Sequence, residues 1–270
     1  MAIATLKPQF EKERIVRKMP ATQTLVLPGD EIQITSDPTQ EITLGPNVKL
    51  APSTSANGNQ CNEEEDDDDK LIPTTAGLLN IQQKKATDIY FIESNTKRYT
   101  PQVNDLVIGT ILGGFDVYYR VSLNNFSPPV LLNQFAFPNA TKKNRPHLKN
   151  GDVVFARVSN CERNVDAELS CVDPITGKDG GFGLLDGGIL VDVKLAYARY
   201  LLFEPEAPVL QALVKKCKFE TAIGVNGKIW IKTDDLKTTI ACVQVIQSSQ
   251  NWESKDIKKN VAQIFKKLGL

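Results

Sequence analysis

The stretch Leu106-Val107-Ile108-Gly109-Thr110-Ile111-Leu112-Gly113-Gly114-Phe115-Asp116-Val117-Tyr118-Tyr119-Arg120-Val121-Ser122-Leu123 decides the fold. Leu106 to Leu112 is an apolar, β-branched run ending in a glycine pair, the pattern of a buried strand closed by a turn. Beyond it Val117, Tyr119, Val121 and Leu123 share one strand face and Tyr118, Arg120 and Ser122 the other, because successive side chains of a strand point to opposite sides. Val130 to Phe137, Val153 to Val158 and Val165 to Val172 supply further short runs. About five short strands in roughly 70 residues suit a small Greek-key barrel of the OB type. Such barrels hold single strands by stacking bases on exposed aromatics and tracking phosphates with basic side chains. Tyr118 and Arg120, on the face away from the apolar one, are therefore candidate RNA contacts.

Between two of these runs, Asn139 to Lys149 carries Lys142, Lys143, Arg145, His147 and Lys149 and no acid. Pro138 and Pro146 keep the segment out of regular structure. Composition alone fits a solubilising loop equally well. Its place on a barrel of this kind tips the reading toward phosphate contact, and the five side chains join the candidate RNA-binding set.

Outward from the barrel the chain divides into four parts. Residues 1–23 read as a flexible extension and 24–100 as a small β domain. In the latter, Leu25-Val26-Leu27 leads into the Pro28-Gly29-Asp30 turn signal, Glu31 to Ile34 alternates, and Ile89 to Ile92 is a further strand. Inside it lies a polar, acidic insertion, 51–70, expected to be disordered. The barrel spans 101–172, and 173–270 is an α+β domain. There Gly177 to Gly188 is glycine-rich, with Phe182, Leu184 and Leu185 interleaved. Val193, Ala196, Tyr197, Tyr200 and Leu201 follow a helical stripe, as do Leu210, Leu213, Val214 and Cys217 after Pro208. Phe219 to Ile223 and Lys228 to Ile231 are strands around Gly224-Val225-Asn226-Gly227, and helical tracts at Asp235 to Ile246 and Trp252 to Leu268 close the chain. The fold class is mainly β with an α+β C-terminal domain.

Charge refines the picture. The 32 basic residues face 32 acidic ones, of which Glu63 to Asp69 form an unbroken run of seven, so the remainder carries a net +7. Seven adjacent like charges repel and stay in solvent, and the EF-hand spacing with its central glycine is absent. The basic remainder permits a nucleic-acid partner. No stretch approaches the roughly 18 apolar residues of a membrane span, and Met1 to Pro20 lacks an apolar signal core. A soluble intracellular protein with no membrane partner is expected. Cys61, Cys161, Cys171, Cys217 and Cys242 form no C-x-x-C pair, so neither a metal site nor a disulfide framework is expected.

Enzyme motifs fail. His147, the single histidine, has no nucleophile motif beside it. Gly177-Lys178-Asp179 departs from a Walker loop, and Gly181-Phe182-Gly183-Leu184-Leu185-Asp186 misses the dinucleotide fingerprint at its final glycine. No catalytic residue, cofactor or metal is assigned.

The order β domain, OB barrel, α+β domain resembles the cap subunits of the eukaryotic RNA exosome over nearly the whole chain after Thr24. The carrying stretches are Leu27-Pro28-Gly29-Asp30, Arg98-Tyr99-Thr100-Pro101 with Val103-Asn104-Asp105, Ala136 to Pro146, Gly180-Gly181-Phe182-Gly183, and Gly224-Val225-Asn226-Gly227-Lys228-Ile229-Trp230. The resemblance implies an N-terminal domain, a central S-one-type domain and a C-terminal KH domain. It further implies a place in a three-subunit cap on a six-subunit ring, with single-stranded RNA and the other cap and ring subunits as partners. Associated nucleases would be met indirectly, in processing and degradation that includes ribosomal RNA maturation. The expected locations are nucleus and nucleolus, and also cytoplasm. The extension and the acidic insertion depart from the family pattern. A free-standing translation or RNA-chaperone factor built from the same OB and KH parts is the alternative.

In an RNA-clamping KH domain the GXXG loop joins two helices. Here Gly224, Asn226 and Gly227 lie between two strand-like runs, with Asn-Gly where a tight hairpin demands it. They are assigned a structural turn.

Overall fold

The computed structural model describes residues 24–32, 34, 41–45, 47–50, 70–83, 87–162, 164–174, 176–178, 180–204, 207–253 and 255–269. The proposed extension 1–23 and all of the acidic insertion but Lys70 lie outside them. By their contacts the described residues fall into two compact units, one within 24–95 and the other from Thr96 onward.

In the first unit β1 (Thr24–Val26), β2 (Glu41–Leu44), β3 (Val48–Leu50), β4 (Leu71–Pro73), β5 (Gly77–Gln83) and β6 (Thr87–Glu93) follow in order. One sheet runs β1-β5-β6-β2, with β2 parallel to β6, and β3 pairs with β4. Val26, Val48, Leu71, Tyr90 and Ile92 form its core with Ile32. Of the alternating Glu31 to Ile34 run, Ile32 makes a single bridge to Leu71.

The second unit opens with the barrel: β7 (Leu106–Phe115), β8 (Tyr118–Ser122), β9 (Val130–Asn133), β10 (Val153–Asn160), β11 (Glu168–Ser170) and β12 (Gly183–Leu185). The sheet runs β11-β9-β8-β7-β10-β12, and β11 also pairs with β10, which closes it. Val107, Ile111, Val121, Leu132, Val154, Ala156, Val158 and Leu169 fill the interior. Each of these except Ala156 is worth about 1.5–3 kcal/mol on burial. The strand β7 does not stop at the glycine pair. It runs on to Phe115 through a bulge between Ile111 and Gly113, which Gly113 accommodates at φ 154°. Conversely β9 ends at Asn133 rather than Phe137, because the Asn133 side chain accepts from the Phe135 N–H and its carbonyl from the Ala136 N–H, turning the chain out of the sheet.

The barrel also extends past Val172. Phe182 and Leu185 sit in its core, Phe182 stacks on Phe155 at 5.3 Å, and β12 pairs with β10. The glycine-rich segment thus adds a short strand beside the start of β10, ahead of the β10–β11 pairing. The α+β part follows: β13 (Ile189–Asp192), α1 (Leu195–Phe203), α2 (Pro208–Val214), β14 (Glu220–Ile223), β15 (Lys228–Lys232), α3 (Leu236–Ser249) and α4 (Ile257–Lys267). Its sheet runs β13-β15-β14. The helical stripes are largely as expected, with Val193, Tyr197, Leu201, Leu210, Leu213 and Cys217 all packed in the α+β core, and differ at one position each. In α1 the buried residues are Leu195, Ala198 and Leu201 while Tyr200 is exposed, and in α2 they are Val209, Ala212 and Leu213 while Val214 is exposed. In both, a small alanine lets the helix lie close, and the larger neighbour turns outward.

Candidate nucleic-acid interface

Two features of the second unit carry information about function. The first is the turn between β14 and β15, which inserts into the barrel. The Asn226 side-chain amide donates to the carbonyls of Ile108 (2.8 Å) and Leu123 (2.9 Å), and its oxygen accepts from the Ile108 N–H (3.2 Å). The Val225 N–H donates to the Leu106 carbonyl at 2.8 Å. Asn226 is only 3% exposed, so all three bonds are sealed from water. Gly227 holds φ +80°, and a Cβ there would lie 2.7 Å from the Val193 carbonyl oxygen. The four residues face protein on every side, which removes them from the surface an RNA could clamp.

The second feature is one end of the barrel, where the β7–β8 hairpin meets the end of β9 and the basic loop. Phe115 is 42% exposed; the Tyr118 ring stacks on it at 6.1 Å, and the Arg120 guanidinium lies 4.9 Å from its centroid. Beside them the Gln134 amide donates to the Asp116 carbonyl at 3.1 Å while its oxygen accepts from Arg145 at 3.4 Å. The Arg145 guanidinium in turn covers Phe135, 5.3 Å from its centroid, and Phe135 remains 36% exposed. Gln134 therefore ties the basic loop to the hairpin tip.

The loop itself is built rather than slack. Thr141 and Asn144 exchange backbone hydrogen bonds at 3.0 and 3.1 Å, presenting Lys142 and Lys143 outward on a tight turn. The Tyr119 hydroxyl, inside the barrel end, donates to the Pro146 carbonyl at 2.5 Å and accepts from the Leu148 N–H at 3.4 Å. Tyr119 is thus the anchor that holds the lysines in place. His147 is exposed, and Lys149 lies ahead of β10, where its N–H donates to the Asp152 carboxylate at 2.7 Å.

Entry to β7 is fixed by a third, smaller network. The Tyr99 hydroxyl donates to Asp105 at 2.6 Å, and the Gln102 N–H donates to the same oxygen at 3.1 Å. Burial pushes the Asp105 carboxyl above its ordinary value, against the pull of these two donors and of the Arg199 guanidinium. Burial likewise raises the Tyr99 hydroxyl and pushes the Cys171 thiol up to about 12. These shifts mark structural burial and touch nothing at the barrel end.

Comparison with known proteins now identifies the parts. Residues 99–183 match the family described as exosome complex component RRP40, S1 domain; residues 188–237 match a KH domain; residues 42–98 match the exosome complex exonuclease Rrp40 N-terminal domain. The chain is 42% identical to exosome complex component RRP40 of Saccharomyces cerevisiae, covering 87% of this chain and 94% of the relative. The chain belongs to the RRP40 family. Its counterpart in Schizosaccharomyces pombe is 34% identical over 89% of this chain and 94% of that one. The crystal structure of a protein described as an exosome complex RNA-binding protein shares the fold, with a TM-score of 0.51 at 22% identity over 63% of this chain and 98% of the other. The resemblance to exosome subunits read from the sequence is borne out.

In this RRP40-family chain the structure gathers Tyr118, Arg120, Arg145, Lys142 and Lys143 at one barrel end and leaves Lys149 to one side, beside a carboxylate. Sequence reasoning missed Phe115, Gln134 and Phe135. Phe115 lay beyond the glycine pair taken as a strand end, and Phe135 lay inside a run taken as strand. Phe115 meets Arg120 across the β7–β8 hairpin and Phe135 meets Arg145 across the β9–β10 connection; neither contact leaves a local spacing signal, because only the paired chain brings the two together.

Proposed function

We propose that this chain is a non-catalytic, RNA-binding cap subunit of an exosome, helping to guide single-stranded RNA into a ring whose degradative chemistry resides in other subunits. The observation that carries the reading is the barrel end, where two exposed phenylalanines are each paired with an arginine beside an outward-facing lysine turn. Stacking platforms accept any base, and lysines act as point charges on phosphates, so the surface suits sequence-independent handling of single strands. The names of the family relatives support the assembly part of the reading. On the catalytic side, the described residues bring together no group of three His, Cys, Asp or Glu able to hold a metal ion. Such a subunit would work in the nucleus and nucleolus and also in the cytoplasm. The direct test is a labelled single strand incubated with the purified full chain. Binding without turnover is expected, and replacing Lys142, Lys143 and Arg145 by Ala should lower the log–log salt slope by about 0.7 per lost contact, roughly 2 in all. Turnover that follows the protein through re-purification, or an unchanged slope, would refute the corresponding half.

A further inference from the structure

A second basic surface lies on the KH part, away from the residues discussed so far. In α4 the residues Ile257, Val261 and Phe265 are buried, and the helix packs against α2 and α3. On the outward side Lys258, Lys259, Lys266 and Lys267 are exposed, Lys255 precedes them, and the residues between on that face, Ala262 and Gln263, are exposed and uncharged. The helix contains no acid. Directly after α2, which packs on α4, Lys215, Lys216 and Lys218 are exposed as well. None of these eight lysines has an ion-pair partner among the described residues.

Solubility alone is a poor account of this pattern. A solvated helix face gains by mixing signs at i and i+4, and α4 carries one sign only. Lys266 and Lys267 sit in the last turn, where the helix dipole favours cations, but Lys258 and Lys259 sit in the first turn, where it disfavours them. Asp256, at the N-cap, is the one acid at this end of the helix and makes no side-chain capping bond. An anion laid along the lysine face, past Asp256, would offset the repulsion among the lysines. Lysines without interleaved aromatics suit a phosphate backbone rather than bases.

We infer that the outward face of α4, together with the lysines after α2, is a second RNA-backbone site, engaging single strands through phosphates alone. This rests on the RNA-binding reading of the barrel, and the experiment separates the two. The full chain, the variant K258Q/K259Q/K266Q/K267Q, and the barrel variant K142A/K143A/R145A are titrated with poly-U and poly-A across a salt series. Gln has nearly the helix propensity of Lys, and melting curves check that the fold is kept. The helix variant should lose slope by about 0.7 per contact, up to roughly 3 units, equally on both polymers. Acetylation of the α4 lysines should also slow when poly-U is present, while that of exposed Lys49 and Lys237 should not. If the helix variant keeps the full slope while the barrel variant loses it, this inference falls and the barrel reading stands; the lysines then serve an acidic protein surface or the solvent. If neither variant changes the slope, both fall.

Discussion

Asn226 makes three sealed hydrogen bonds with a side chain two carbons long. Replacing it with Ala would leave the Ile108 N–H and two carbonyls without partners, each costing about 1–3 kcal/mol when buried. A loss of at least about 3 kcal/mol in urea unfolding is expected. Asn226→Asp should be at least as damaging despite its identical shape, since an ionised carboxylate would face two carbonyls in a dry site. If either variant melts like the parent, the turn is not the clamp described here. Gly227→Ala should cost about 1–2 kcal/mol from the φ of +80° alone, with the Val193 carbonyl adding to it. A titratable counterpart is Asp105. Its folded value is raised by burial, so the stability it contributes is full below the unfolded value and is lost as pH rises through the folded one. The variant Asp105→Asn, which cannot ionise, should therefore gain on the parent between pH 4 and pH 7. Paired urea melts at the two pH values check the sign, and a gain in the opposite direction would exclude burial as the dominant influence.

At the scale of elements, the β7–β8 hairpin and the end of β9 act as one aromatic platform. Phe115→Ala removes a stacking surface worth about 1–3 kcal/mol per base without changing charge. Affinity for poly-U should fall while the salt slope stays that of the parent, the reverse of the signature expected from the lysine variants. Loss of slope on Phe115→Ala would show that Arg120 needs the ring beneath it to hold its position. This contrast also explains which elements were legible in the sequence. The alternation of Tyr118 to Leu123 and the apolar run of Leu106 to Leu112 gave the barrel directly, because local period reports strand faces. The basic loop was legible by composition. Strand ends were not: β7 passes through a glycine pair because a bulge uses Gly113, and β9 stops early because Asn133 bonds the backbone ahead of it. Phe115 and Phe135 are functional candidates only because those ends fall where they do. The helical stripes of α1 and α2 were legible except at one position each: Tyr200 and Val214 are exposed while Ala198 and Ala212 are buried, a choice made by tertiary packing that hydropathy does not show.

On the scale of the whole second unit, barrel and KH part are one folding body rather than two beads. The barrel core includes Leu195, Ala222, Val225 and Trp230, all contributed by the α+β part, and the Asn226 turn is bonded to two of the barrel strands' carbonyls or their immediate continuation. The Trp230 indole, 3% exposed, donates to the Gly187 carbonyl at 2.7 Å, at the point where barrel passes into KH sheet. Separating the halves would expose this apolar contact and leave the Ile108 and Leu123 carbonyls wet, so neither half has its full core alone. A fragment covering 96–270 should accordingly unfold in a single step. Trp fluorescence, which reports on the KH part through Trp230 in the hairpin and Trp252 between α3 and α4, and far-UV circular dichroism, which reports mainly on barrel strands and helices together, should give coincident transitions. Asn226→Ala should lower the midpoint of both signals together, since it weakens the joint and not one half. Two resolved steps in the parent fragment, or a variant in which only the fluorescence transition moves, would show independent domains. In that case the barrel end could reorient relative to the α4 lysines during RNA binding; a single transition means that the two surfaces are held at a fixed geometry by the turn that joins them.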